Sequence, residues 1–173
     1  MATHRASILN GSVTPDSSGK VWFEPYSILA TNDVWKHMVV RTDQDGNNNA
    51  QLTTRVGIYG AFKVPKNYVG SPKIKVTWNA TVTSGDRVWD FEYRAVAAAE
   101  SLDQAGTQES VTVTTTTPGT AHNAIESSLT LTAANFAVDD VVEWFLAADG
   151  VDAADTIAAA TLIHDVQFEW ADA

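Results

Sequence analysis

Residues 73–82 alternate without interruption: Ile74, Val76, Trp78, Ala80 and Val82 occupy one parity, and Lys73, Lys75, Thr77, Asn79 and Thr81 the other. Successive side chains of a strand point to opposite faces, so a period of two predicts a strand with one buried face and one wet face. Other runs repeat the pattern. Val56, Ile58, Gly60 and Phe62 alternate with Gly57, Tyr59, Ala61 and Lys63, and Trp89, Phe91, Tyr93 and Ala95 alternate with Asp90, Glu92 and Arg94. Residues 138–170 read as strand, acidic turn, strand. Val142, Trp144 and Leu146 share a parity on the first strand, as do Leu162, Val166, Phe168 and Trp170 on the last.

Shorter strands are expected at residues 20–24 and 37–41. The threonine-rich, β-branched run 111–117 has the composition of an edge strand, and residues 125–132 alternate again. Segment 32–40 reads either as a helical turn opened by Asn32 or Asp33, or as a strand. The turn Ser84-Gly85-Asp86 predicts that the strands on either side of it pair as a hairpin. About eight strands and little helix predict an all-β chain, a single antiparallel β-sandwich that is jelly-roll-like. Residues 1–16 form an N-terminal arm or edge strand, and residues 17–173 the sandwich, with no internal repeat and no linker.

Charge narrows the function classes. All eleven Lys and Arg lie between Arg5 and Arg94 with eight acids, whereas residues 95–173 hold thirteen acids and no Lys or Arg, and the whole chain carries −10. Phosphate binding requires clustered cations, so nucleic acid is excluded as a partner. No apolar run reaches bilayer thickness, which argues against a membrane, and the N-terminus lacks the apolar core of a signal peptide, which predicts synthesis in a cytoplasm. Without cysteine there are no disulfides, thiolate metal sites or Cys nucleophiles. The acidic surface either keeps the protein soluble or docks on a basic partner.

No catalytic residues are assigned. His4, His37, His122 and His164 fall in no metal-binding spacing, and His164 lies on the inward parity of its strand, as a core histidine would. No nucleophile elbow or phosphate-binding glycine loop is present. Residues 43–49 superficially resemble a calcium loop, but the glycine is two residues early and Thr54 stands where the bidentate Glu belongs. Asp149, Asp152 and Asp155 are a second candidate Ca²⁺ cluster, against the simpler reading that they cap turns. Trp78, Trp89, Trp144 and Trp170 share faces with apolar residues and are expected in the core. Trp22, Trp35 and Tyr59, with outward Phe145, are the candidates for an exposed aromatic platform that stacks on glycans.

Phe91-Glu92-Tyr93-Arg94-Ala95, Phe136 with Asp139-Asp140-Val141-Val142, Asp149 through Thr156, and Phe168-Glu169-Trp170 resemble a β-rich segment of tailed-phage virion proteins, capsid decoration (cement) and fibre-associated proteins among them. The resemblance implies a non-enzymatic structural subunit on the virion, bound as a trimer to the major capsid protein and stabilising the head. The contacts expected for it are Thr3, His4, Arg5, Ile8 and Leu9, within residues 3–12. The alternatives are a tail or fibre glycan-binding adhesin and a free-standing carbohydrate-binding module.

Overall fold

The alternating runs form two antiparallel sheets packed face to face in the computed structural model, which describes residues 1–10, 13–26, 37–43, 52–103 and 106–172. Among these residues the strands are β1 (Thr3–Ser7), β2 (Thr14–Pro15), β3 (Val21–Pro25), β4 (Met38–Thr42), β5 (Arg55–Lys63) and β6 (Gly70–Ala80). They continue with β7 (Asp86–Val96), β8 (Glu109–Thr116), β9 (Ile125–Thr130), β10 (Val141–Asp149) and β11 (Thr161–Ala171). One sheet runs β3-β4-β11-β6-β9 with β1 also on β11, and the other runs β2-β5-β10-β7-β8. From β4 onward the chain changes sheet at almost every connection, which makes the sandwich jelly-roll-like. Eleven strands stand among the described residues where about eight were expected, and two of the additional ones, β1 and β2, lie in the N-terminal segment.

Inward parity became core as expected. Trp78 and Trp89 are fully buried, and Trp144 and Trp170 nearly so, each burial contributing roughly 1.5–3 kcal/mol. The threonine-rich β8 is an edge strand, as its composition suggested. The expected hairpin across Gly85 does not form. β6 and β7 belong to different sheets, and the chain crosses the sandwich at Gly85, where φ is +105°. Parity reveals which face of a strand is buried but not which strand lies beside it. Trp78 and Trp89 therefore meet edge to face across the core, with ring centroids 5.7 Å apart. The hairpin partner of β7 is β8.

β11 departs from its simple parity at a bulge. Ile163 pairs with Trp78 and Asp165 with Thr77, so His164 is the extra residue. The slip brings Ile163 into the main core cluster before the bulge, while Leu162 is buried outside that cluster. It also turns His164 away from the inward face expected for it. His164 is half-buried, its Nδ1 lies 2.7 Å from His37 Nε2, and Tyr26 packs edge-on against its ring.

The connection from β10 to β11 is fixed by a buried ion pair. Arg87 Nη1 donates to both carboxylate oxygens of Asp155, at 3.0 and 2.9 Å, and Nη2 donates to the Ala159 carbonyl at 3.3 Å. The Val88 N–H donates to the same carboxylate at 3.0 Å. At the other end of the core, Asn135 Nδ2 donates to the Tyr93 hydroxyl at 2.9 Å, and Tyr93 in turn bonds to Glu109. Hydrogen bonds from Tyr93, Thr132 and Asn135 hold Glu109 below its ordinary pKa against the opposing effect of burial.

Candidate functional site

The five-stranded sheet turns Val56, Ile58, Trp144, Leu146, Trp89 and Phe91 into the core, which leaves the opposite parity of β5, β10 and β7 on its outer face. Register then decides which outward residues are neighbours. Thr14 stands opposite Tyr59, Tyr59 opposite Phe145, Phe145 opposite Glu92, and Glu92 opposite Ser110. One row of side chains thus crosses all five strands. Two residues along, Ala61, Glu143 and Arg94 form the next row.

Tyr59 and Phe145 stack with ring centroids 4.4 Å apart and planes 26° off parallel. Tyr59 is 51% exposed, whereas Phe145 is half-buried, with the Arg55 guanidinium 5.0 Å from its ring centroid. Arg55 is held in turn by Asp90 and Glu92, each at 2.6 Å. Charge pairing therefore fixes the cation that supports the aromatic pair. The two rows, Ser110 excepted, line a shallow groove of about 470 Å³ to which Gly106 and Thr107 also contribute, a size within the range of small-ligand sites.

Rigid elements hold these groups. Beneath the groove, the Trp144 ring lies against Gly60, where a Cβ would come within 2.3 Å of the ring. Glycine is required there so that the two strands keep their spacing while the indole fills the core. Thr107 Oγ1 donates to Glu92 at 3.2 Å, and Arg94 Nε donates to the Gly106 carbonyl at 2.8 Å. Glu143 is exposed and forms no hydrogen bond or ion pair with the described residues. The groove therefore offers a stacking surface, a free carboxylate, and hydroxyls and a guanidinium at its rim, which is chemistry for binding a polyhydroxylated ligand.

The residues singled out from sequence are dispersed. Tyr59 reaches the groove and meets Phe145. Trp22 lies on the other sheet, its Nε1 donating to Glu24 at 3.0 Å and its ring 5.4 Å from the Arg41 guanidinium, so it shares no surface with Tyr59. Trp35 is outside the described residues, as are 32–36 of the undecided segment, 44–49 of the calcium-like loop and residues 11–12 of the N-terminal segment. Residues 38–40 of the undecided segment belong to strand β4.

Asp149, Asp152 and Asp155 do not converge. Asp149 Oδ1 accepts from the Val151 N–H at 3.1 Å and Asp152 Oδ1 from the Ala154 N–H at 2.8 Å, while Asp155 faces inward to Arg87. Among the described residues no three His, Asp or Glu side chains gather in a way that could hold a metal ion.

The N-terminal candidates are held by their own chain. β1 pairs along β11, His4 Nε2 lies 2.7 Å from Asp172, and Arg5 bonds to Glu169 and Glu126 at 2.6 and 2.7 Å. Thr3 sits opposite Ala171 in the same pairing. Ile8 is buried in the core, and Leu9 packs against it.

Sequence reading missed Glu92, Arg94, Glu143 and Arg55 as groove residues. Their outward parity was legible, but their convergence depends on the order β5-β10-β7.

No family model matches the sequence, and no curated protein matches it. Solved structures do match. The family 11 carbohydrate-binding module of the cellulosomal cellulase Lic26A-Cel5E of Clostridium thermocellum superposes with a TM-score of 0.52 at 8% identity, covering 98% of this chain and 95% of that one. An arabinose-bound GH51 α-L-arabinofuranosidase gives 0.51 at 13% identity over 92% of this chain, which spans 23% of the enzyme's length. The CBM22-1 xylan-binding domain of Paenibacillus barcinonensis Xyn10C gives 0.49 at 13% identity, covering 98% and 94%. At these identities the likeness is one of fold.

Proposed function

We propose that this protein is a non-catalytic glycan-binding module, and that the groove over Tyr59 and Phe145 takes the sugar. The exposed Tyr59 ring, stacked on Phe145 in a groove edged by hydrogen-bonding groups, is the observation that carries the reading. The C–H face of a pyranose packs on an aromatic ring, while its hydroxyls require acceptors and donors at the margin. Glu143 and the Thr14 hydroxyl, both lining the groove, are placed to supply them. Because every group stands on a strand or on the adjoining 106–107 turn, little ordering is needed on binding. A whole-length fold likeness to a carbohydrate-binding module supports the same reading.

Hydrolysis needs two facing carboxyl groups. Of the two carboxylates lining the groove, Glu92 is occupied by Arg55 and Thr107, which leaves Glu143 alone. Binding without cleavage fits this arrangement. Capsid decoration rests on the phage resemblance, and the N-terminal segment expected to grip the lattice is engaged with β11 and the core. A glycan-binding module mounted on a virion would act as an adhesin, which reconciles the resemblance with the groove.

A glycan array probed with the natural chain and with Tyr59→Ala tests the proposal. The natural chain should bind at least one glycan class, and Tyr59→Ala should weaken that binding at least tenfold, as expected for a lost stacking contact of about 1.4 kcal/mol or more. Binding that is unchanged in Tyr59→Ala would remove the groove from the explanation.

A further inference from the structure

We infer that the groove selects an uncharged, extended glycan and rejects polyanionic ones; this deepens the glycan-binding reading and rests on it. The row Thr14, Tyr59, Phe145, Glu92 and Ser110 crosses five strands at one register level. Neighbouring strands are about 4.8 Å apart, so the row is about 19 Å long. A chain of sugar rings laid across the strands meets a new side chain at each step, whereas a single ring uses only a fraction of the row.

The charges along that row set the second half of the inference. Arg55 contacts both Asp90 and Glu92, so two carboxylates outweigh its positive charge beside Phe145. Arg94 also lines the groove, with its Nε on the Gly106 carbonyl, so the outer face there carries two guanidiniums, Arg55 and Arg94, against three carboxylates, Asp90, Glu92 and Glu143. Glu143 stands across from Arg94 in register but is paired with nothing described, which leaves a carboxylate in the groove facing the ligand. It lies two residues along β10 from Phe145, about 7 Å from the platform.

A hydroxyl can donate to such a carboxylate. A uronate or sulfate carried over Phe145 is repelled by it, and the chain's net charge of −10 adds to the repulsion at long range. At about 7 Å, like charges at a protein surface disfavour binding by about tenfold at low salt, and salt screens the effect.

The test is calorimetric titration of the full chain with cellohexaose, xylohexaose and mannohexaose, set against hexagalacturonate, at low and high salt. At least one neutral hexasaccharide should bind about tenfold or more tightly than hexagalacturonate at low salt. High salt should narrow that gap, and so should Glu143→Gln, which keeps the shape of the side chain. Hexagalacturonate binding as tightly as every neutral sugar, and lost in Tyr59→Ala, would overturn the charge inference while leaving the glycan reading intact. A gap that ignores both salt and Glu143→Gln would also overturn it. Failure of all four sugars to bind would overturn the inference, and failure on the glycan array as well would sink both.

Discussion

Asp155→Ala is expected to be the most damaging single truncation outside the apolar core. Arg87 and Asp155 are both fully buried, and burial pushes the Asp155 carboxyl up and the Arg87 guanidinium down, with their pairing opposing the shift in each. Removing the carboxylate takes away both acceptors of Arg87 Nη1 and the acceptor of the Val88 N–H, and leaves Nη2 its 3.3 Å bond to Ala159. Stranding a buried ion costs about 3–5 kcal/mol, and an orphaned buried N–H about 1–3 kcal/mol. Water entering the vacated volume offsets part of this, so the expected loss is about 4 kcal/mol. That is a large share of the roughly 5–15 kcal/mol typical of a domain. Urea unfolding followed by tryptophan fluorescence measures it, because Trp89 lies two residues from Arg87. The reasoning also fixes the double variant. Arg87→Met with Asp155→Ala removes the stranded charge and should recover at least about 2 kcal/mol relative to Asp155→Ala alone. A cost below about 1 kcal/mol for the single variant, or a double variant no more stable than the single one, would refute the account.

Two further expectations concern the other sheet. Burial, and secondarily the neighbouring His37, hold His164 below its ordinary value of 6.5. The folded state therefore binds fewer protons than the unfolded chain between the lowered value and 6.5. The stability this histidine contributes is present above 6.5 and lost as pH falls through the folded value. The melting temperature should decline with acidity in that window, and His164→Gln should flatten this part of the profile; an unchanged slope would remove the histidine pair as its cause. Ile8, 3% exposed, ties the segment after β1 into the core, so Ile8→Ala should cost about 2–4 kcal/mol in the same unfolding assay. A value near zero would show that the N-terminal segment is a loose arm after all.

Side-chain alternation alone determined that the chain is dominated by β-strands, with segment 32–40 left open, that Trp78, Trp89, Trp144 and Trp170 lie inside, and that Tyr59, Phe145 and Glu92 point out. A period of two is a local property, imposed residue by residue by backbone geometry. Which outward residues become neighbours is not local. Tyr59 and Phe145 are separated by about half of the chain, and only the order β5-β10-β7 places their rings 4.4 Å apart with Glu92 beside them. The same limit explains the missing hairpin: both strands flanking Gly85 carry inward tryptophans, a pattern equally satisfied by neighbours in one sheet or by facing strands in two. His164 shows where even parity ends, since one extra residue in β11 shifts which side chains face inward. Asp155 reads in sequence as one more acid in a polar turn, and it becomes a buried anchor because the crossing from β10 to β11 carries it onto Arg87. Sequence wrote the faces of the strands; long-range pairing, paid for by burying those faces together, decided what each exposed face could bind.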